Sequence, residues 1–179
     1  MLHHATMLKA FTTTVLLLVA MTTTTWAQSV PGGLSGETTF LRAFDGQFAG
    51  TGRLEQADGS GHTLTCKFKG NSEGRQVVLD GRCSTAIMFG TSMRIGIRYD
   101  ARTGRYLGSF HESMGTIAVL VGSRQGETLS LSFTETAESI RPNPPARLTI
   151  TRRDHDMVLT LRGTKPGQGQ NLNLVLRQS

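Results

Sequence analysis

The chain has only two cysteines, Cys66 and Cys83, a single tryptophan, Trp26, and few aromatic residues, 6% of 179. Its one sustained apolar run, Val15-Leu16-Leu17-Leu18-Val19-Ala20-Met21, is far short of the ~20 residues a membrane-spanning helix needs. No transmembrane span is therefore expected. Nowhere do aromatic and basic residues interleave as they do in single-strand nucleic-acid binders, so no nucleic acid is expected. No long linker or low-complexity tract divides the chain, which excludes a multi-domain layout. Charged residues make up only 18%, but they are unbalanced: 19 Lys and Arg against 13 Asp and Glu, a formal charge of +6. The excess is carried by arginine and has two readings: a basic surface that keeps a small protein soluble, or affinity for acidic partners such as an anionic envelope component, lipid headgroups or polyanionic glycans.

The first 27 residues read as an address. Met1 to Ala10 contains Lys9 and no acid, the short apolar run follows, and Thr25-Trp26-Ala27 presents small residues at both ends of a cleavage site. These are the three regions of a secretory signal peptide. No cysteine lies beside the site, so a lipid anchor is disfavoured. The expected localisation is periplasmic or secreted, and an even cysteine count in an exported chain favours one structural disulfide, Cys66 to Cys83.

The cysteines sit in alternating runs. Leu64, Cys66 and Phe68 alternate with Thr63, Thr65 and Lys67, and Val77, Leu79, Gly81 and Cys83 alternate with Asp80 and Arg82. Period two is the mark of a half-buried strand. Between the runs lies Gly70-Asn71-Ser72-Glu73-Gly74, a cluster of turn formers. A tight turn centred near Ser72 puts Cys66 opposite a residue near Val77 or Leu79, so a direct bridge to Cys83 calls for a long loop or a bulge near Gly81, and a bulge or bend is expected.

The same alternation recurs to the C-terminus. Residues 28–43 read as a disordered lead, 28–37, followed by one short helical turn. Residues 44–179 read as one domain of about eight to ten short strands joined by Gly- and Asp-rich turns, with no long helix after the signal peptide. Asp100-Ala101-Arg102-Thr103-Gly104 is a type I turn with glycine in the left-handed position, and Asp154-His155 falls where another hairpin turn belongs. Thr136 to Ala146, with Pro142, Pro144 and Pro145, is the one long loop. Short hairpins favour an all-β, antiparallel, up-and-down barrel, whose closure removes exposed edges. Phe48, flanked by Gly46 and Gly50, is expected to plug its closed end.

The layout resembles the calycin superfamily of lipocalin and fatty-acid-binding barrels. The resemblance is carried by Phe44-Asp45-Gly46-Gln47-Phe48, a Gly-x-aromatic opening strand after a helical turn, with phenylalanine where lipocalins have tryptophan. It implies an internal cavity. Exported bacterial metalloprotease inhibitors, small barrels with one disulfide, are a second analogy and imply a filled interior.

Catalytic chemistry is not expected, and no cofactor or metal. Asp154-His155-Asp156 is turn chemistry, and His111-Glu112 is a strand end near a barrel mouth. No serine is assigned to a nucleophile elbow, and Gly50-Thr51-Gly52 lacks the helix a phosphate cradle needs. The candidate ligand-binding set is Arg94, Arg98, Tyr99, Tyr106, Phe110 and His111, arginines and rings around one hairpin able to grip an amphipathic anion. The alternative for the same residues is core rings with solvated arginines. Two functions follow: a non-enzymatic barrel binding a small apolar or amphipathic molecule inside, or an envelope interaction or inhibitor protein with a filled core. N-terminal sequencing of protein recovered from its own host should begin at Gln28; an intact Met1 in exported material would overturn the signal-peptide reading.

Overall fold

The computed structural model describes residues 33–86, 90–134, 145–164 and 169–179. The expected signal peptide, residues 28–32 of the lead and most of the proline-bearing loop lie outside the described residues.

A nine-residue helix, α1 (Leu34–Arg42), precedes ten strands: β1 (Gly46–Glu55), β2 (Gly61–Glu73), β3 (Gln76–Ser84), β4 (Gly90–Asp100), β5 (Arg105–Glu112), β6 (Ile117–Gln125), β7 (Thr128–Thr134), β8 (Ala146–Arg153), β9 (Asp156–Gly163) and β10 (Asn171–Gln178). Each strand pairs antiparallel with its neighbours in sequence, and β1 pairs with β10 to close the ring. The expected all-β, single up-and-down barrel is the observed fold, with ten strands and one short helix.

The pleat sorts the side chains. Phe48, Phe68, Leu79, Ile95, Leu120, Leu131, Ile150, Leu159 and Leu174 all point inward and are buried. Thr63, Lys67, Arg94 and Asn173, from the alternate positions, are exposed. Phe48 lies between Phe68 of β2 and Gln178 of β10, at the end covered by the helix. The helix-side end carries the tightest turns, two residues each at Gly74-Arg75, Gly126-Glu127 and Asp154-His155.

Two expectations are corrected. The lead is not disordered from Gly33 onward, because α1 starts at Leu34 and covers Glu37. Glu37, Phe40, Leu41 and Phe44, at helical spacing, form the face laid on the barrel end. The cysteine hairpin also needs no bulge. Strand β2 runs on through the turn formers to Glu73, which pairs with Gln76, and that register sets Cys66 directly opposite Cys83. The disulfide is formed, with Cα atoms 4.1 Å apart. The turn lies two residues later than expected because Gly70 has a packing role. A Cβ there would overlap the Phe44 carbonyl oxygen where the helix leaves. Gly74, at φ +56°, makes the turn. Gly81, where a bulge was expected, pairs with Phe68 and leaves room for its ring.

If these faces are correct, Phe48→Ala removes a buried ring and should cost ~3–5 kcal/mol. Lys67→Ala should change stability by no more than about 0.5 kcal/mol. Urea denaturation of both variants checks this; equal midpoints would contradict the sorting.

Candidate functional site

Helix α1 closes its end of the barrel with a polar clamp. Glu37 projects from the helix between the last inward position of β6, Arg124, and the first of β5, Tyr106. Arg124 Nε and Nη2 each donate to the Glu37 carboxylate at 2.9 Å, a two-pronged ion pair, and the Tyr106 hydroxyl donates to Oε2. Arg124 Nη1 also donates to the Gly126 carbonyl at 2.6 Å, fixing the guanidinium to its own turn. Rings surround the clamp. The Arg124 guanidinium lies 4.8 Å from the Phe40 ring centre, and Phe40 meets Tyr106 edge-on at 6.2 Å. At the same end Arg152 lies over Phe48 at 5.3 Å, and its Nη2 donates to Gln178.

The clamp is electrostatically settled. Burial opposes the charge on Glu37, but the hydrogen bonds from Arg124 and Tyr106 and the Arg124 charge outweigh it, holding the carboxyl below the ordinary carboxylate value. Burial, then the adjacent carboxylate, push the Tyr106 hydroxyl well above the usual tyrosine range. The hydrogen bond to Glu37 raises Arg124, against its burial. None of the three exchanges a proton near neutral pH, so the clamp fastens the helix and is not built for acid–base chemistry.

The residues singled out from sequence are divided by the barrel wall. Tyr99 and Tyr106 are cross-strand partners facing inward, with ring centres 5.2 Å apart, and Tyr106 belongs to the clamp. Phe110 also faces inward but toward the opposite end, against Phe133 at 5.1 Å. Arg94, Arg98 and His111 face outward, and Arg94 pairs with Asp80 at 3.1 Å. No single ligand inside the barrel touches all six. Glu112 also faces inward, taking hydrogen bonds from Thr91 and the Met114 amide, while its neighbour His111 points away. Among the described residues no group of three His, Cys, Asp or Glu side chains converges on a metal site.

Gly70-Asn71-Ser72-Glu73-Gly74 spells the Gly-x-Ser-x-Gly pattern, which the reading of the sequence passed over in favour of a turn. Ser72 instead lies inside β2 opposite Val77, and its amide donates to Asp45. No helix follows it, so no nucleophile elbow forms. Glu37 and Arg124 were missed as well. Arg124 carried no face signal, since Ile117 to Val121 is apolar at odd and even positions alike and only the strand register turns Ala118, Leu120, Gly122 and Arg124 inward. The signal for Glu37 was its helical spacing to Phe40, Leu41 and Phe44.

A second feature lies on the outer wall. The outward faces of β2 to β5 form a groove of about 890 Å³. Its outward charged lining is Lys67, Lys69, Asp80, Arg82 and Arg94, with the His111 imidazole and hydroxyls from Thr65, Ser84, Ser92 and Ser113; Glu112 borders it with its side chain turned inward. The registers place Lys67 directly opposite Arg82, and Asp80 between Lys69 and Arg94.

No family model matches the chain, and no curated protein matches its sequence. Among solved structures it is similar to Rv2717c from M. tuberculosis, at a TM-score of 0.63 and 15% identity, covering 80% of this chain and 97% of that one. The likeness extends to the barrel fold.

The clamp implies an acid-dependent stability. Glu37 titrates lower in the folded chain than its ordinary 4.5, so below that value the unfolded chain binds more protons. The contribution of the carboxylate is complete above about pH 5.5 and disappears as the pH falls through the folded value. Glu37→Gln should cost about 3 kcal/mol at pH 7, at the low end for unpairing a buried ion because Arg124 still reaches water. The gap in urea midpoint between the two proteins should then narrow on acidification. A gap that stays constant down to pH 3 would contradict the clamp.

Proposed function

We propose that the chain is an exported, non-enzymatic interaction protein that works through its outer wall, with the barrel interior serving as its core. One observation carries this reading. Leu79, Ile95, Leu120, Leu129, Leu131, Leu148, Ile150, Leu159, Leu174 and Leu176 all point inward, and each has 0% of its surface accessible. A side chain lining a chamber that admits water keeps some accessible area. A chamber for an organic ligand needs several hundred Å³, and these side chains leave none around them. The groove on β2 to β5 supplies that volume outside the ring.

The disulfide supports export, since such bonds persist in oxidising compartments, and so does the signal pattern up to Ala27. Among the described residues no helix is long and apolar enough to cross a membrane. The non-enzymatic reading rests on commitment: the two cysteines are bonded to each other, and Glu37, Tyr106 and Arg124 are held in one clamp.

A second reading has its own observation. At the end away from α1 the inward residues Leu54, Phe133 and Leu161 are only half-buried against the core. This apolar mouth is where a small apolar or amphipathic molecule would enter.

Two measurements separate the readings. Native mass spectrometry of protein purified from its own host should show the bare chain. Leu131→Ala should cost ~2–5 kcal/mol, as in a packed core. A stoichiometric organic adduct, together with a Leu131→Ala cost below 1 kcal/mol, would favour the chamber.

A further inference from the structure

We infer that the groove on β2 to β5 binds a polyanionic glycan, a chain of sugars bearing sulfate or carboxylate groups; the inference names the partner of the outer-wall function proposed above. The charge arrangement is the first ground. Lys67 and Arg82 are direct cross-strand partners, and like charges placed so repel. Lys69 lies two residues along the same face. The carboxylate nearest this cluster, Asp80, is already paired with Arg94 at 3.1 Å. Among the described residues Lys67, Lys69 and Arg82 enter no ion pair of their own. Their combined field is open to an external anion that can touch all three.

Shape and lining narrow the class. From Gln47 on β1 to His111 on β5 the lining crosses four strand spacings, ~19 Å at ~4.8 Å each. That width suits linked units and exceeds one phosphate or sulfate. The outer wall of a closed ring curves away from a plane, so a flexible charged chain can follow Lys67, Lys69 and Arg82 across two strands more closely than the headgroups of a flat bilayer can. The one phenylalanine, tyrosine or tryptophan in the lining, Phe68, points inward and is buried, which leaves His111 as the outward ring. Nucleobases therefore have a single imidazole to stack on, three strands away from Lys67, and a protein partner has no Tyr or Trp anchor. A peptide strand has no sheet edge to extend, because the ring is closed. Thr65, Ser84 and Ser92 add hydroxyls that pair with sugar hydroxyls as readily as with oxyanions.

The outer face of the far side supplies an internal control. Arg147 and Arg162 are also direct cross-strand partners and are exposed, but they lie on β8 and β9, outside the groove. The test titrates full-length mature protein with a heparin-derived oligosaccharide and with polygalacturonate, by calorimetry in moderate salt. Duplex DNA and phosphatidylserine vesicles are run in parallel. Lys67→Ala/Arg82→Ala should weaken binding of at least one charged glycan tenfold or more. Arg147→Ala/Arg162→Ala, with the same loss of charge, should weaken it less than threefold. Equal losses in the two doubles, no binding of either glycan, or tighter binding of DNA or vesicles would each overturn the inference. Should the first double fail to fold, Lys69→Gln alone should still weaken binding at least threefold, and an unchanged affinity would overturn it. The outcome is independent of the interior: a bare mass spectrum with no glycan binding would sink the partner while leaving the packed-core reading standing.

Discussion

The closing pair, β1 against β10, is the interaction on which the rest depends. It gives every strand two neighbours, so no backbone edge is left for another chain. Closure also makes the pleat absolute: each residue of a strand is either inside the ring or outside it, and consecutive residues alternate. Leu172, Leu174 and Leu176 of β10 meet Leu54, Gly52 and Gly50 of β1 on the inner face, while Asn173 and Val175 meet Arg53 and Thr51 on the outer. The core and the working surface are two sides of one wall, set by a single register.

That constraint explains how the ends are finished. A ring has two openings, and the polar backbone and apolar side chains there need cover. At one end the cover is α1, whose apolar face is packed by Phe40, Leu41 and Phe44. Packing by itself leaves a helix free to slide, and the directional Glu37–Arg124–Tyr106 contacts fix its position. Asp45 adds a tether: its carboxylate takes the Ser72 amide, and its carbonyl takes the Gln178 side chain. The helix thus joins β2, β5, β6 and β10 at one end, and the disulfide joins β2 to β3 toward the other.

The candidate set read from sequence shows why alternation is a strong guide to faces and a weak guide to sites. Tyr99, Tyr106 and Phe110 were correctly grouped as rings of one hairpin, and Arg94, Arg98 and His111 as its polar positions. The wall lies between them, as in the alternative of core rings with solvated arginines. Neighbouring positions in a strand lie close along the chain yet face opposite solvents, so proximity in sequence argues against a shared site. The polar cluster that forms, Glu37 with Tyr106 and Arg124, joins residues 69 and 87 positions apart. The basic groove joins Lys67, Arg82 and Arg94 from three strands.

From its sequence alone this protein was determined to be all-β, antiparallel and meandering, with the inward face of most strands, because period-two burial and short turns are local properties of the chain. The Cys66–Cys83 pairing followed instead from the even cysteine count and the export pattern, and Ile117 to Val121, apolar throughout, showed no face. The turn at Gly74-Arg75 was misplaced because Gly70 answers to the Phe44 carbonyl, a contact between elements. Whether the ring holds a ligand or a core depended on how its inward side chains fill the space between opposite walls. The clamp and the groove required the register of every strand between their members. These are tertiary decisions, since each depends on the meeting of surfaces that the chain holds far apart until the last strand closes on the first.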